Sequence, residues 1–158
     1  MAVWVKERLR GAVERAVNRG IATFISGGAL GVDQWAVDIV LEVRAERQKR
    51  SPQGIGGIKL VIARPFPSQP NRWPREARRH YEKILQKAER IIETDNDPYA
   101  AWKLQKRNEW MVDNSDAVIA VWDGHPSGTA NTVEYARQQG KPVLVIDPAK
   151  KDERWLKG

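Results

Sequence analysis

The run IATFISGGALGVDQW, from Ile21 to Trp35, decides the fold. Ile21 to Ser26 is short, apolar and rich in β-branched residues, which is the pattern of a buried strand. Ser26 to Gly31 (SGGALG) is a tight glycine turn. From Val32 to Ala45 the spacing becomes helical, with Trp35, Ile39 and Val43 on one side. A buried strand that passes through a glycine turn into a helix is the unit from which parallel α/β sheets are assembled.

The flanking sequence repeats that alternation. Upstream, Val5, Leu9, Ala12, Val13, Ala16 and Val17 recur at helical spacing between Trp4 and Asn18, and Gly20 stops the helix. Downstream, Arg47 to Gly57 is polar and Gly/Pro-rich and reads as a flexible connection. Ile58 to Ala63 is the next strand, ended by Pro65 and Pro67. Pro74 opens a basic helix that runs to about Ala88, and Arg90 to Glu93 contains a short strand. Asp97-Pro98 reads as the cap and first turn of a helix that reaches Val112. Ala117 to Trp122 is a strand, Thr129 to Gln139 a helix closed by Gly140, and Val143 to Ile146 the last strand. The expectation is one domain over residues 1–158: a Rossmann-like α/β/α fold of three layers around a mostly parallel sheet. Such folds usually open with a strand, whereas here a helix comes first.

Composition narrows the function. A charged fraction of 30% beside 41% hydrophobic residues suits a soluble globular chain. No apolar run approaches the length of a membrane span, so no membrane partner is expected. Met1 to Arg10 lacks the apolar core of a signal peptide, which makes the cytoplasm the default location. With no cysteine there is no disulfide, thiol nucleophile or zinc–thiolate site. His80 and His125 show no ligand spacing, so neither a metal site nor a cofactor is expected. The net charge of +7 favours anionic partners, or serves only to keep the surface soluble.

In parallel sheets ligands bind beyond the carboxyl ends of strands, and two loops at such ends suit an anion. In the first, Ser26, Gly27, Gly28 and Gly31 let backbone approach a ligand ahead of a helix N-terminus. In the second, Asp123, Gly124, Ser127, Gly128 and Thr129 stand between a strand and a helix, and Ser127 either caps that helix or meets a phosphate oxygen. Plain turn chemistry explains either loop taken alone. Neither loop matches GxGxxG or a P-loop, which disfavours nicotinamide cofactors and P-loop NTPase activity. Asp33 is a first-turn acid or a ribose contact. Asp123 could hold a ribose, orient its loop or activate water. Arg107, beside Asn108, could clamp a phosphate or pair with Asp113 or Asp116. Trp73, Tyr99, Trp102 and Trp122 are candidates for stacking on a base, or simply core.

Four segments in order carry a resemblance: Ser26 to Asp33; Pro65-Phe66 with Trp73-Pro74; Arg107 to Asp113; and Trp122-Asp123-Gly124 with Ser127 to Asn131. Together, over Ile21 to Asp147, they resemble the YpsA-like branch of the SLOG superfamily, which also holds the DprA and Lonely Guy (LOG) proteins. The resemblance implies a Rossmann-like fold and a nucleotide-derived ligand, and it adds Asn131 to the candidate ligand residues. Many members of the branch come from bacteria and phages and have no assigned reaction. Two departures stand out. The family's N-terminal strand, with its Gly-His-Arg type loop, is missing ahead of the Trp4 helix, and a second subunit could cover the edges this leaves. Glu134 lies five residues after Thr129, too far for the catalytic glutamate of the LOG enzymes.

Three functions follow as alternatives. The first is a domain that binds or senses a nucleotide derivative, as a homodimer or higher homo-oligomer. The second is an enzyme cleaving a nucleotide N-glycosidic bond, for which Asp33 and Asp123 are placed as acid or base. The third is single-stranded nucleic-acid binding through Arg72, Arg75, Arg78, Arg79, Lys83 and Lys87 near Trp73 and Tyr81, interrupted by Glu76 and Glu82. Whether any reaction is catalysed is left open at this point.

Overall fold

A computed structural model describes residues 1–51 and 57–156. It has the order α1 (Ala2–Asn18), β1 (Thr23–Ser26), α2 (Val32–Arg50), β2 (Lys59–Arg64), α3 (Arg75–Lys87), β3 (Arg90–Glu93), α4 (Ala101–Asp113), β4 (Val118–Val121), α5 (Gly128–Gln138), β5 (Val143–Asp147) and β6 (Asp152–Leu156). Strands β1, β2 and β3 are parallel neighbours in that order. Strand β5 pairs parallel with β4 and antiparallel with β6.

Side-chain alternation along the strands sets the layers. Leu60 and Ile62 of β2 and Ile146 of β5 share one core cluster with Val5, Leu9 and Val13 of α1, Val37 and Val40 of α2 and Ile84 of α3. Ala120 of β4 and Val143 and Val145 of β5 face the other way, against Val112 of α4 and Val133 and Ala136 of α5. Helices α1 to α3 therefore cover one face and α4 and α5 the other, which is the expected three-layer Rossmann-like α/β fold.

The sheet is split. Strands β1 and β4 each end a three-stranded ladder, and no ladder joins them among the described residues. Their exposure agrees. Strand β5 is buried throughout and β2 is buried at its centre, whereas β1 and β4 are mostly half-buried, and Ile119 of β4 is exposed. Helix α1 spans the break on one face, because its apolar stripe meets both Val37 of α2 and Ile146 of β5.

Several boundaries differ from the sequence reading. Helix α2 continues to Arg50, with Arg47, Lys49 and Arg50 in its last turn, where cations complement the helix dipole. Arg47 also donates to Asn18 Oδ1 at 2.9 Å. The expected flexible connection from Arg47 thus begins as helix, and residues 52–56 of it lie outside the described residues. Asp97 does not cap α4, which starts at Ala101. Its carboxylate accepts instead from the Ser68 N–H at 2.8 Å, and Lys103 Nζ donates to the carbonyls of Asn96 and Pro98. Strand β6 is an addition: Asp147 Oδ1 accepts from the N–H groups of Ala149 and Lys150, and the turn it builds sends the chain back along β5. None of the helices among the described residues is long and apolar enough to cross a membrane.

Candidate functional site

The glycine turn after β1 is built inwards. Ser26 Oγ donates to the Asp33 carbonyl at 3.3 Å and accepts from the Gly28 N–H at 3.2 Å, closing the loop on itself. Gly28 (φ +67°) and Gly31 (φ +86°) lie in the left-handed region that favours glycine. Gly27 is required for a different reason. A Cβ there would lie 2.5 Å from Arg107 Nη1 and 2.9 Å from Asp33 Oδ2.

Arg107 reaches this loop from α4 and is buried. Its Nη1 donates to the carbonyls of Gly27 (3.1 Å) and Ala63 (3.2 Å) and to Gln69 Oε1 (3.3 Å). Its Nε donates to Asn108 Oδ1 at 2.8 Å. Of its three nitrogens only Nη2 has no acceptor among the described residues. The alternative of pairing with Asp113 or Asp116 is therefore not what happens: Asp113 accepts instead from the Tyr135 hydroxyl at 2.7 Å. Gln69 joins the network by donating to the Gly27 carbonyl (3.3 Å) and to Tyr81 Oη (3.2 Å). Gln34 donates to the Gly28 carbonyl at 3.1 Å.

The consequence for the backbone is directional. The carbonyls of Gly27 and Gly28 both accept from side chains, the first from Gln69 and Arg107 and the second from Gln34. Ala29 N–H donates to Asp33 Oδ2 at 3.3 Å, while the amides of Leu30, Gly31, Val32, Asp33 and Gln34 have no acceptor among the described residues. This is the N-terminal end of a 19-residue helix. Burial pushes the Asp33 carboxyl above its ordinary range, opposed by the Arg107 charge and the Ala29 N–H. Burial likewise pulls the Arg107 guanidinium down, opposed by Asp33 and then Tyr81. Each is the other's main compensation.

The second loop is exposed and largely self-contained. Asp123 Oδ1 accepts from the His125 N–H (3.0 Å) and lies 3.1 Å from His125 Nδ1. The His125 backbone N–H, ahead of its side chain, holds the Asp123 carboxyl below the usual range. Trp122 Nε1 donates to the His125 carbonyl at 2.8 Å. Ser127 caps α5, its Oγ accepting from the Ala130 N–H at 3.1 Å, and Asn131 N–H bonds the Ser127 carbonyl. The amides of Gly128 and Thr129 are left without acceptors among the described residues, and Gly124 (φ +94°) supplies the turn.

Ser26, Gly27, Gly28, Asp33, Arg107 and Asn108 thus form one bonded cluster, with Gly31 at its rim. Asp123, Gly124, Ser127, Gly128, Thr129 and Asn131 form another, and no hydrogen bond or ion pair links the two among the described residues. Gln69 and Tyr81 belong to the first cluster and were not foreseen there; the sequence reading names Tyr81 only as an aromatic beside the basic helix. Open cavities of about 340 Å³ beside Trp4 and Glu153, and of about 420 Å³ between β3 and α4, include no residue of either loop. Among the aromatic candidates, Trp73 packs edge-on against Tyr81 at 5.2 Å and Trp122 is tied to its own loop, while Tyr99 and Trp102 are exposed.

The model of the YspA SLOG family (YpsA) matches residues 2–150. Among curated proteins the chain is 35% identical over 149 residues to the uncharacterized SPbeta prophage-derived protein YoqJ of Bacillus subtilis strain 168, covering 85% of this chain and 81% of that protein. It is 29% identical over 126 residues to a UPF0398 protein of Brevibacillus brevis, covering 79% of this chain and 63% of the relative. It is 28% identical over 141 residues to a UPF0398 protein of Bacillus cereus strain G9842, covering 83% and 72%.

Proposed function

The chain belongs to the YpsA family of SLOG proteins, and from that premise we propose that it binds a phosphate-bearing nucleotide derivative at the glycine cradle after β1, with the Gly124–Thr129 loop as a second contact. One observation carries the reading. Arg107, Gln69 and Gln34 draw the carbonyls of Gly27 and Gly28 into the protein, while the free amides at the start of α2 are left for an anion. An anion there gains from N–H donors and from the helix dipole together. A bound ribose has Asp33 close by as acceptor.

Calorimetric titration with nucleoside mono-, di- and triphosphates tests it. Leu30 is exposed at the rim of the cradle, so Leu30→Asp, which places a carboxylate there, is expected to weaken binding at least tenfold, with an unchanged melting temperature. Absence of heat at millimolar ligand for the whole panel refutes the proposal.

A second reading, cleavage of an N-glycosidic bond, draws on the Asp33 carboxyl, which burial shifts toward carrying a proton at higher pH. Incubation with nucleoside monophosphates decides it: free base that disappears in Asp33→Asn supports it, and no free base excludes it.

A further inference from the structure

Strands β1, β2 and β3 are parallel, so the loops that follow them all leave the carboxyl edge of one ladder. The glycine cradle is the first of these loops. Residues 65–74 form the second and residues 94–100 the third. Neighbouring strands lie about 4.8 Å apart, which sets the third loop roughly 10 Å to the side of the first. A ligand that extends along this edge from the cradle meets the other two.

The three loops are bonded to one another. Thr94 N–H and Oγ1 donate to the Arg64 carbonyl at 3.0 and 3.2 Å, and Asp97 accepts from the Ser68 N–H at 2.8 Å. Lys103 Nζ, from α4, donates to the carbonyls of Asn96 (2.8 Å) and Pro98 (2.7 Å). Gln69 donates from its side chain to the Gly27 carbonyl at 3.3 Å and from its N–H to the Phe66 carbonyl at 3.3 Å. On this framework stands Tyr99. Its ring meets buried Phe66 edge-on, with 5.7 Å between centroids, yet the residue is 62% exposed. A short chain of contacts therefore runs from Tyr99 through Phe66 and Gln69 to Gly27.

An aromatic ring left open on a tightly bonded loop is preorganised, and it loses little freedom when a flat partner covers it. Covering it removes apolar area from water, and every nucleic base has a π-face that can serve. Trp73 and Trp122 are already engaged, the first against Tyr81 and the second within its own loop.

We infer that Tyr99 is the base-stacking residue of the cradle: a nucleotide whose phosphate sits on the α2 amides lays its base on the Tyr99 ring. The inference rests on the reading of the cradle as a phosphate site, and it adds that the ligand carries an aromatic base. Ribose phosphate alone fills the cradle without touching the ring.

Calorimetric titration of the full chain with adenosine 5′-monophosphate and with ribose 5-phosphate tests it. The parent chain is expected to bind the nucleotide about tenfold more tightly than the sugar phosphate, a difference that stacking on one ring supplies. Tyr99→Leu keeps an apolar side chain against Phe66 but offers no flat face. It should lower nucleotide affinity about tenfold and leave ribose 5-phosphate within about twofold, with an unchanged melting temperature. Tyr99→Phe restores the preference. Leu30→Asp weakens both ligands alike, which separates a loss at the cradle from a loss at the ring. Equal affinity of the parent chain for the two ligands, or a preference that survives Tyr99→Leu, overturns the inference and leaves the cradle reading standing. Binding of neither ligand at millimolar concentration overturns both.

Discussion

Arg107 Nη1 donates to the carbonyl oxygen of Gly27 at 3.1 Å, across 80 positions of sequence. The bond fixes the first turn after β1 to α4 and accounts for a glycine where backbone angles alone do not demand one. It also couples the stability of the fold to the shape of the proposed cradle.

Gly27→Ala tests that coupling. Its Cβ would overlap the Arg107 guanidinium, which cannot withdraw without giving up its bonds to Gly27, Ala63 and Gln69. Overpacking of this kind costs about 1–3 kcal/mol, read as a lower urea midpoint. Gly128→Ala is the control: nothing lies within 4 Å of its added Cβ, and its stability should change by less than about 0.5 kcal/mol.

Arg107→Met keeps much of the volume and removes the charge. It takes from the half-buried Asp33 the charge that favours its ionised form and from the Gly27 and Ala63 carbonyls a charged donor, and a lost bond to a charged group costs about 1.5–3 kcal/mol. The sign of the pH dependence follows from the raised Asp33 carboxyl. Its stabilising share is present while it is protonated, below its ordinary value, and is lost as pH rises through the higher folded value. The deficit of the variant is therefore largest at neutral pH and narrows on acidification, as urea melts over a pH series will show.

Asp147 behaves oppositely. The Lys150 N–H, then Arg154 and the Ala149 N–H, hold its carboxyl below the usual range. Its contribution is present above the ordinary carboxylate value and is lost as pH falls through the folded one. Asp147→Asn should lower stability at neutral pH and flatten the acid limb of the stability profile. It should also speed amide exchange in β6, whose turn the carboxylate holds.

Ser127→Ala removes the cap of α5 and costs about 1 kcal/mol, whereas Ser127→Asn, another good cap, restores most of it. Thermal melts measure both, and amide exchange at Ala130 reports the lost acceptor directly.

The alternation of strands and helices was legible because each element carries its own period and its own stop. Gly20 and Gly140 end helices at positive φ as read, and Ser127 caps as its residue type suggests. The inner wiring of the cradle was not legible. Arg107 and Gln69 meet Gly27 through tertiary contact, and nothing local to either residue names the partner. Asp97-Pro98 carried a sound local cap signal, yet tertiary competition from the Ser68 N–H claimed the carboxylate. Strand β6 hid because KDERW is charged; an edge strand with one open side tolerates that composition, and its pairing is set by the Asp147 turn rather than by apolar alternation.

The break between β1 and β4 has a mechanical meaning. Relative sliding or tilting of the two ladders ruptures no main-chain bond, so resistance to it comes from side chains: Val5, Leu9 and Val13 on one face, and the Arg107 and Tyr135 attachments of α4 on the other. The glycine cradle rides on one ladder and the Asp123 loop on its counterpart. Their spacing is set by how α1 and α4 grip the two ladders rather than by strand register.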